Sequence, residues 1–260
     1  MSQVAPGIGR VLAPNPGPMT LDGTNAWIIG SADGPSIVVD PGPADPGHLR
    51  TVHEAAGEVA VTVLTHRHLD HSEGLADFAA RTGSGVRAAD PAYAIVAAGC
   101  DGSLADGLRL AVGELTVTAL ATPGHTSDST SLLVEGSGGA WLLTGDMVLG
   151  RGTTVITHPD GDLGAYLDSL DVMLAVVRER QVLAILPGHG PLVHDPVAVL
   201  THYREHRLQR LDQVREALRL GDRTASEVVA RVYADVDRSV WPAAEQSVLA
   251  QLEYLRSWGA

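Results

Sequence analysis

Apolar and polar positions along the chain alternate between two regimes. Short, nearly unbroken apolar runs bounded by Gly, Pro and Asp read as strands buried on both faces. They are Ala26–Gly30, Ser36–Asp40, Val59–Leu64, Val86–Ala89 and Val182–Leu186. Residues 109–120 read as two strands around Gly113-Glu114, and residues 131–134 and 140–143 as a hairpin across 135–139. Between them lie segments with helical spacing. Residues 46–57, 73–82 and 91–98 predict helices, and 161–179 carries apolar positions at 163, 167, 170, 174 and 177. Residues 6–25 are rich in Pro and Gly and predict a loop with a turn at Asp22-Gly23; Ser31–Pro35 predicts another turn. The order suggests two sheets covered outside by helices.

Pro196 opens a different regime, with no strand-like run after it. Residues 197–220 predict one long helix with Leu200, Leu208, Leu211, Val214 and Leu218 on roughly one side. Thr224-Ala225-Ser226-Glu227 is a capping box that opens a second helix, and 243–257 predicts a third. The expected organisation is therefore residues 1–195 as the main domain and 196–260 as a small helical subdomain. Five of the ten aromatic residues fall in this tail: Tyr203, Tyr233, Trp241, Tyr254 and Trp258.

Composition narrows the picture. With 45% hydrophobic residues and a mean hydropathy of +0.09, 260 residues can bury a sizeable core. No apolar run reaches the ~18 residues of a membrane span, and no signal or transit peptide is read at the N-terminus. Cys100 is the only cysteine, so no internal disulfide can form. These features predict a cytoplasmic protein. All 18 basic residues are Arg, and the formal charge is −13. Residues 1–195 hold 9 Arg against 22 acidic side chains, a balance of −13; residues 196–260 hold 9 against 9. Such a balance opposes non-specific binding to nucleic acid and speaks against double-stranded DNA as a partner.

The candidate chemistry sits where strands end. Thr65-His66-Arg67-His68-Leu69-Asp70-His71 follows the strand at 59–64. Imidazoles and a carboxylate together suit a zinc-like ion. His66 and His68, two apart in an extended turn, point the same way. Burying so many polar groups without partners would be costly. Three further strand ends each carry one ligand-type residue in a Gly turn: His125, Asp146 and His189. His202 and His206, four apart on a helix, lack a third ligand nearby in sequence. His158 and His194 lie in Pro-flanked loops that do not require them at the site.

The set His66-x-His68-x-Asp70-His71, His125, Asp146 and His189 resembles the metallo-β-lactamase superfamily. Asn15-Pro16-Gly17-Pro18 through Asn25, Pro187-Gly188-His189-Gly190 and the helical tail resemble its β-lactamase-like-protein-2 branch, which includes an animal mitochondrial endoribonuclease. The resemblance implies an α/β fold, an αββα sandwich followed by a winged-helix-like module. It implies a dinuclear site with two zinc ions by default, iron or manganese being the alternatives. His66, His68 and His125 would hold one ion, Asp70, His71 and His189 the other, and Asp146 would bridge them. Two such ions share a water whose pKa falls toward ~7, which makes a bridging hydroxide the nucleophile. Asp70, beside it, would act as the catalytic carboxylate. Asp40 would support a ligand His. Thr24 and Asn25 are candidate substrate contacts, and Arg204 and Arg207 candidate RNA contacts. The implied substrates are single-stranded RNA or a small-molecule ester or thioester. Phosphodiesterase action on RNA, a glyoxalase II-like thioesterase and a non-catalytic metal-binding protein are the competing readings; oligomeric state stays open.

Overall fold

The computed structural model describes residues 1–30 and 34–257. In chain order the elements are β1 (Ser2–Ala5), β2 (Ile8–Leu12), β3 (Asn25–Gly30), β4 (Ser36–Val39), α1 (Pro46–Ala56), β5 (Val59–Val63), α2 (Leu69–Ser72), α3 (Leu75–Thr82) and β6 (Gly85–Arg87). There follow β7 (Arg109–Val112), β8 (Leu115–Ala121), β9 (Thr130–Gly136), β10 (Gly139–Gly145), α4 (Leu163–Glu179), β11 (Ala184–Pro187), α5 (Pro196–Arg219), α6 (Ala225–Val232) and α7 (Trp241–Ser257).

The strands form two sheets, β1-β2-β3-β4-β5-β6 and β11-β10-β9-β8-β7. β4, β5 and β6 run parallel, as do β10 and β11; the other pairs are antiparallel. Two-residue periodicity divides each strand between two layers. Trp27, Ile29, Ile37 and Val39 face Leu132, Val134, Trp141 and Leu143 in the layer between the sheets. Ala26, Ile28 and Val38 face outward onto Leu49 and Val52 of α1 and Phe78 of α3. On the far side, Leu133, Leu142 and Ile185 pack with α4, and that layer runs on without a break into α5, α6 and α7. This is an αββα sandwich, and its strands read as solid apolar runs because both faces are covered. No helix among the described residues is long and apolar enough to cross a membrane.

Several expectations need correction. The 6–25 loop contains a strand, β2, which with β1 extends the first sheet at its edge. Gly9 and Arg10 interrupt its apolar pattern and hid it from a periodicity reading. The helix expected at 73–82 is α3, and a separate short helix, α2, precedes it inside the metal turn, with Glu73 and Gly74 between them. A Cβ at Gly74 would stand 2.8 Å from Leu49 Cδ2 and 2.9 Å from Gly42 O. The helix expected at 91–98 is only a 3₁₀ turn, Pro91–Tyr93; Ile95 then exchanges backbone hydrogen bonds with Val86. The turn expected at 31–35 and Trp258 fall wholly or partly outside the described residues.

Candidate metal centre

Five strand ends meet at one edge of the sandwich. β4 delivers Asp40, β5 the turn 65–72, β8 the turn bearing His125, β10 Asp146 and β11 His189. Ligand-bearing loops at the carboxyl ends of strands are the general arrangement in α/β folds. Backbone bonds sew the loops together: Thr130 N donates to Thr65 O, Gly188 N to Gly145 O and Asn25 N to Gly188 O. Gly145 has φ +48°, and a Cβ there would stand 2.7 Å from Thr65 Oγ1. A Cβ at Gly188 would stand 2.4 Å from Asp146 Oδ1 and 2.8 Å from His71 Cε1.

All seven predicted ligand residues come together as two sets. His66, His68, His125 and Asp146 each offer an atom within 4.8 Å of the others, and so do Asp70, His71 and His189. In the first set His68 Nδ1 lies 3.1 Å from His66 Nε2 and 3.0 Å from His125 Nε2. In the second, His71 Nε2 lies 3.2 Å from His189 Nε2. Asp146 spans both: Oδ1 is 3.5 Å from His71 Nε2, and Oδ2 is 3.2 Å from His189 Nε2 and 3.9 Å from His125 Nε2.

The far sides of the imidazoles fix their orientation. His71 Nδ1 donates to Asp40 Oδ2 at 2.9 Å, and His189 Nδ1 to Gly23 O at 3.2 Å. His125 Nδ1 donates to Val155 O at 2.5 Å. Thr65 Oγ1 donates to Asp40 Oδ2 at 2.7 Å, so it accepts from His66 Nδ1 at 3.1 Å. With these roles assigned from the network, His66, His71, His125 and His189 turn Nε2 inward, and His68 meets the first set through Nδ1. Two ring nitrogens facing at 3.2 Å need a proton or a metal cation between them. Asp146 Oδ1 is moreover buried without a hydrogen-bond partner. The donor set therefore fits a pair of metal ions, and the cluster is able to bind a dinuclear metal.

The electrostatics agree. Burial pushes the His66, His68 and His125 imidazoles down, His125 to about 4. Burial acts the same way on His71 and His189. There the carboxylates win: Asp146, Asp70 and Asp40 hold His71 well above the usual range, and Asp146 and Asp70 raise His189 to about 9. Burial also works against ionising Asp146 and Asp70, yet their histidine neighbours hold Asp146 well below the carboxylate range and Asp70 at about 2. This half of the site is a concentration of negative charge that calls for cations.

The substrate-contact expectations need correction. Thr24 and Asn25 are both fully buried. Thr24 Oγ1 donates to Asp70 Oδ2 at 3.1 Å, which holds that carboxylate. The Asn25 amide donates to Pro187 O at 2.9 Å and Gly190 O at 3.0 Å, which fixes the His189 turn. Arg207 is 2% exposed and cannot meet RNA. Arg204 is exposed and pairs with Asp171 of α4 at 2.7 Å. Arg67, between two ligands, turns to Asp160 and to Asp90. His158 pairs with Glu253 at 3.0 Å rather than joining the cluster, and the His202 and His206 rings lie 6.2 Å apart, outside both ligand sets. The sequence reading missed Thr65, Gly188 and the 154–155 carbonyl support, because each acts through a contact distant in the chain.

Comparison with known proteins agrees with this geometry. Residues 19–189 match the model of the metallo-beta-lactamase superfamily, and residues 224–259 match the beta-lactamase associated winged helix domain. The chain belongs to the metallo-beta-lactamase superfamily, and it is a metal-dependent hydrolase of that fold. It is 31% identical to a beta-lactamase-like protein 2 homolog of Caenorhabditis elegans, over 98% of this chain and 86% of that protein. It is also 31% identical to an atrochrysone carboxyl ACP thioesterase of Aspergillus chevalieri, over 92% of this chain and 77% of that one. A beta-lactamase domain protein from Burkholderia ambifaria shares the fold with a TM-score of 0.80 at 23% identity, covering 99% of this chain and 88% of that one.

Proposed function

We propose that this chain hydrolyses a thioester or ester with two zinc ions, one held by His66, His68 and His125, the other by Asp70, His71 and His189, and both by Asp146. The observation that carries this reading is the pair of converging donor sets spanned by one buried carboxylate. Ions in such a site supply an activated water near neutral pH and polarise the scissile oxygen. The chain's own residues supply the rest. Asp40, Thr65, Gly23 and Val155 fix the imidazoles so that Nε2 faces inward. Asp70, kept ionised by its histidine neighbours and held at Oδ2 by Thr24, is the carboxylate that would orient the activated water by accepting its hydrogen bond. Residues 1–195 carry every proposed ligand, and 196–260 buttress them from behind.

A thioester or ester suits the surface better than RNA does. The chain carries −13 overall, and the arginines of α5 are largely committed: Arg204 to Asp171, Arg215 to Asp212, Arg219 to Glu216 and Arg207 to the interior. Likeness to an acyl-carrier-protein thioesterase points the same way. Likeness to the beta-lactamase-like protein 2 homolog favours the second reading, endoribonuclease action on single-stranded RNA. The deciding experiment reconstitutes the protein with zinc, iron or manganese and assays each form against an acyl thioester, a phosphodiester and a short RNA. Thioester turnover that needs two equivalents of metal supports the proposal. RNA cleavage with no thioester turnover replaces it with the second reading.

A further inference from the structure

One stretch without ligands, residues 149–156, joins the C-terminal helices to the metal centre. Tyr203 of α5 accepts from Leu149 N and donates to Gly152 O, each at 3.0 Å. Ser247 of α7 accepts from Ile156 N at 3.2 Å. Between these two anchors, Arg207 of α5 donates through a terminal nitrogen to Thr154 O. Its guanidinium lies 5.2 Å from the centroid of the Tyr166 ring, and the Tyr166 hydroxyl donates to Met147 O at 2.7 Å.

Arg207 is an unusual group to bury. It is 2% exposed, and no acidic side chain among the described residues forms an ion pair with it. A guanidinium removed from water without a carboxylate is held at a cost, which an apolar residue of similar length would avoid. What it holds is the loop behind His125. Val155 O accepts from His125 Nδ1 at 2.5 Å, and Thr154 Oγ1 lies 3.3 Å from the same nitrogen. On the other side of the ring, Nε2 lies 3.0 Å from His68 Nδ1. The path from the helical tail to the first donor set is thus Arg207, the Thr154-Val155 backbone and His125.

We infer that Arg207 is a positioning residue for the metal: by pinning Thr154 O it fixes the carbonyl that sets the tautomer and tilt of His125, and so sets the affinity for the ion that His125 shares with His66 and His68. This rests on the proposed reading of His125 as a ligand. A support of this kind typically governs metal affinity by about 10–100-fold. Arg207→Met keeps the length and removes the donors; Arg207→Lys keeps the charge but loses the planar fork.

The test is zinc binding by the full-length protein in competition with a chromophoric chelator, resolved into two steps. His125→Ala identifies which step belongs to the first set. Arg207→Met should weaken that step about 10–100-fold and leave the other within about threefold, with Arg207→Lys in between. In the His125→Ala background, Arg207→Met should change neither step further, because the path it acts through is gone. Should Arg207→Met fail to fold, the Arg207→Lys affinities decide. Unchanged binding, or equal weakening of both steps, overturns the inference while leaving the metal reading in place. Wild-type protein that binds fewer than two ions sinks both.

Discussion

Gly188 shows how closely the candidate site is fitted. Its Cβ would meet both Asp146 and His71, the carboxylate that spans the two donor sets and an imidazole of the second. Gly188→Ala should therefore displace ligands without unfolding the sandwich. A displacement near 1 Å at a reacting centre costs about 100-fold in rate, and activity should fall at least that far while the far-ultraviolet circular dichroism stays native. Wild-type activity in that variant would show that the turn has room to move. Asp40 acts one shell further out, as the acceptor for Thr65 N at 2.8 Å, for Thr65 Oγ1 at 2.7 Å and for His71 Nδ1 at 2.9 Å. Asp40→Asn should lower metal affinity by about 10–100-fold. Asp146→Ala, which removes the spanning carboxylate itself, should lower it further; the reverse ranking in elemental analysis after dialysis would contradict the assignment.

The two donor sets should also respond differently to pH. A metal must displace any proton on a ligand nitrogen. Asp146 and Asp70 raise His189 to about 9 and hold His71 above its ordinary value, so in the metal-free protein the second set favours holding a proton at neutral pH. Binding at the second set should release protons and tighten steadily as pH rises toward about 9. His125 lies at about 4 and His66 well below its ordinary value, so the first set is already deprotonated and should bind nearly independently of pH above 6. The same protonation stabilises the metal-free fold. That contribution is full below the unfolded histidine value of about 6.5 and is lost as pH rises through the folded values. Zinc titrations from pH 6 to 9 test this, and parallel pH slopes for the two steps would refute it.

At the scale of elements, local signals carried most of what they could carry. The capping box at Thr224 is present in full, with Glu227 N donating to Thr224 Oγ1 at 3.2 Å and Thr224 N to Glu227 Oε2 at 2.9 Å. Thr224→Ala should cost about 1 kcal/mol, read from denaturant midpoints. No loss would mean that packing of Val228 and Val229 alone holds α6. β3, β4, β5, β9 and β10 were legible because both faces are apolar. β1 and β2 were not, because edge strands with Gly9 and Arg10 depend on partners far along the chain. The ligand side chains could be picked out as residues at strand ends, and the structure brings them together. Their supports could not: whether Thr24 touches substrate or holds Asp70 depends on a contact 46 residues away. Arg207 reads as one more solvated helix charge, and only its packing against Tyr166 of α4 and the Thr154 loop reveals it as buried.

At the scale of the molecule, charge separates the two substrate readings. The metal-bearing part holds the whole excess of −13, and the tail is neutral. Around α5 and α6, Arg210 stacks on Tyr233 with 4.6 Å to the ring centroid, and Arg231 pairs with Asp222, so these guanidinium groups are engaged within the protein. Counterion release lowers log K for a single strand by about 0.7 per neutralised phosphate for each tenfold rise in salt. A chain of net charge −13 with those arginines engaged should hold at most about three phosphates, a slope no steeper than about −2. Association of a short single-stranded RNA should accordingly be weak at physiological salt. Thioester hydrolysis, which asks for no basic groove, should change little as sodium chloride rises from 50 to 500 mM, since the donor sets are buried and poorly screened. Arg204→Ala should leave it unchanged, because that arginine serves Asp171 at the α4–α5 seam. Fluorescence anisotropy with labelled RNA across the same salt range measures the slope. Submicromolar binding with a slope steeper than about −3 would mean more phosphate contacts than this charge balance predicts, and would favour the endoribonuclease reading over the thioesterase.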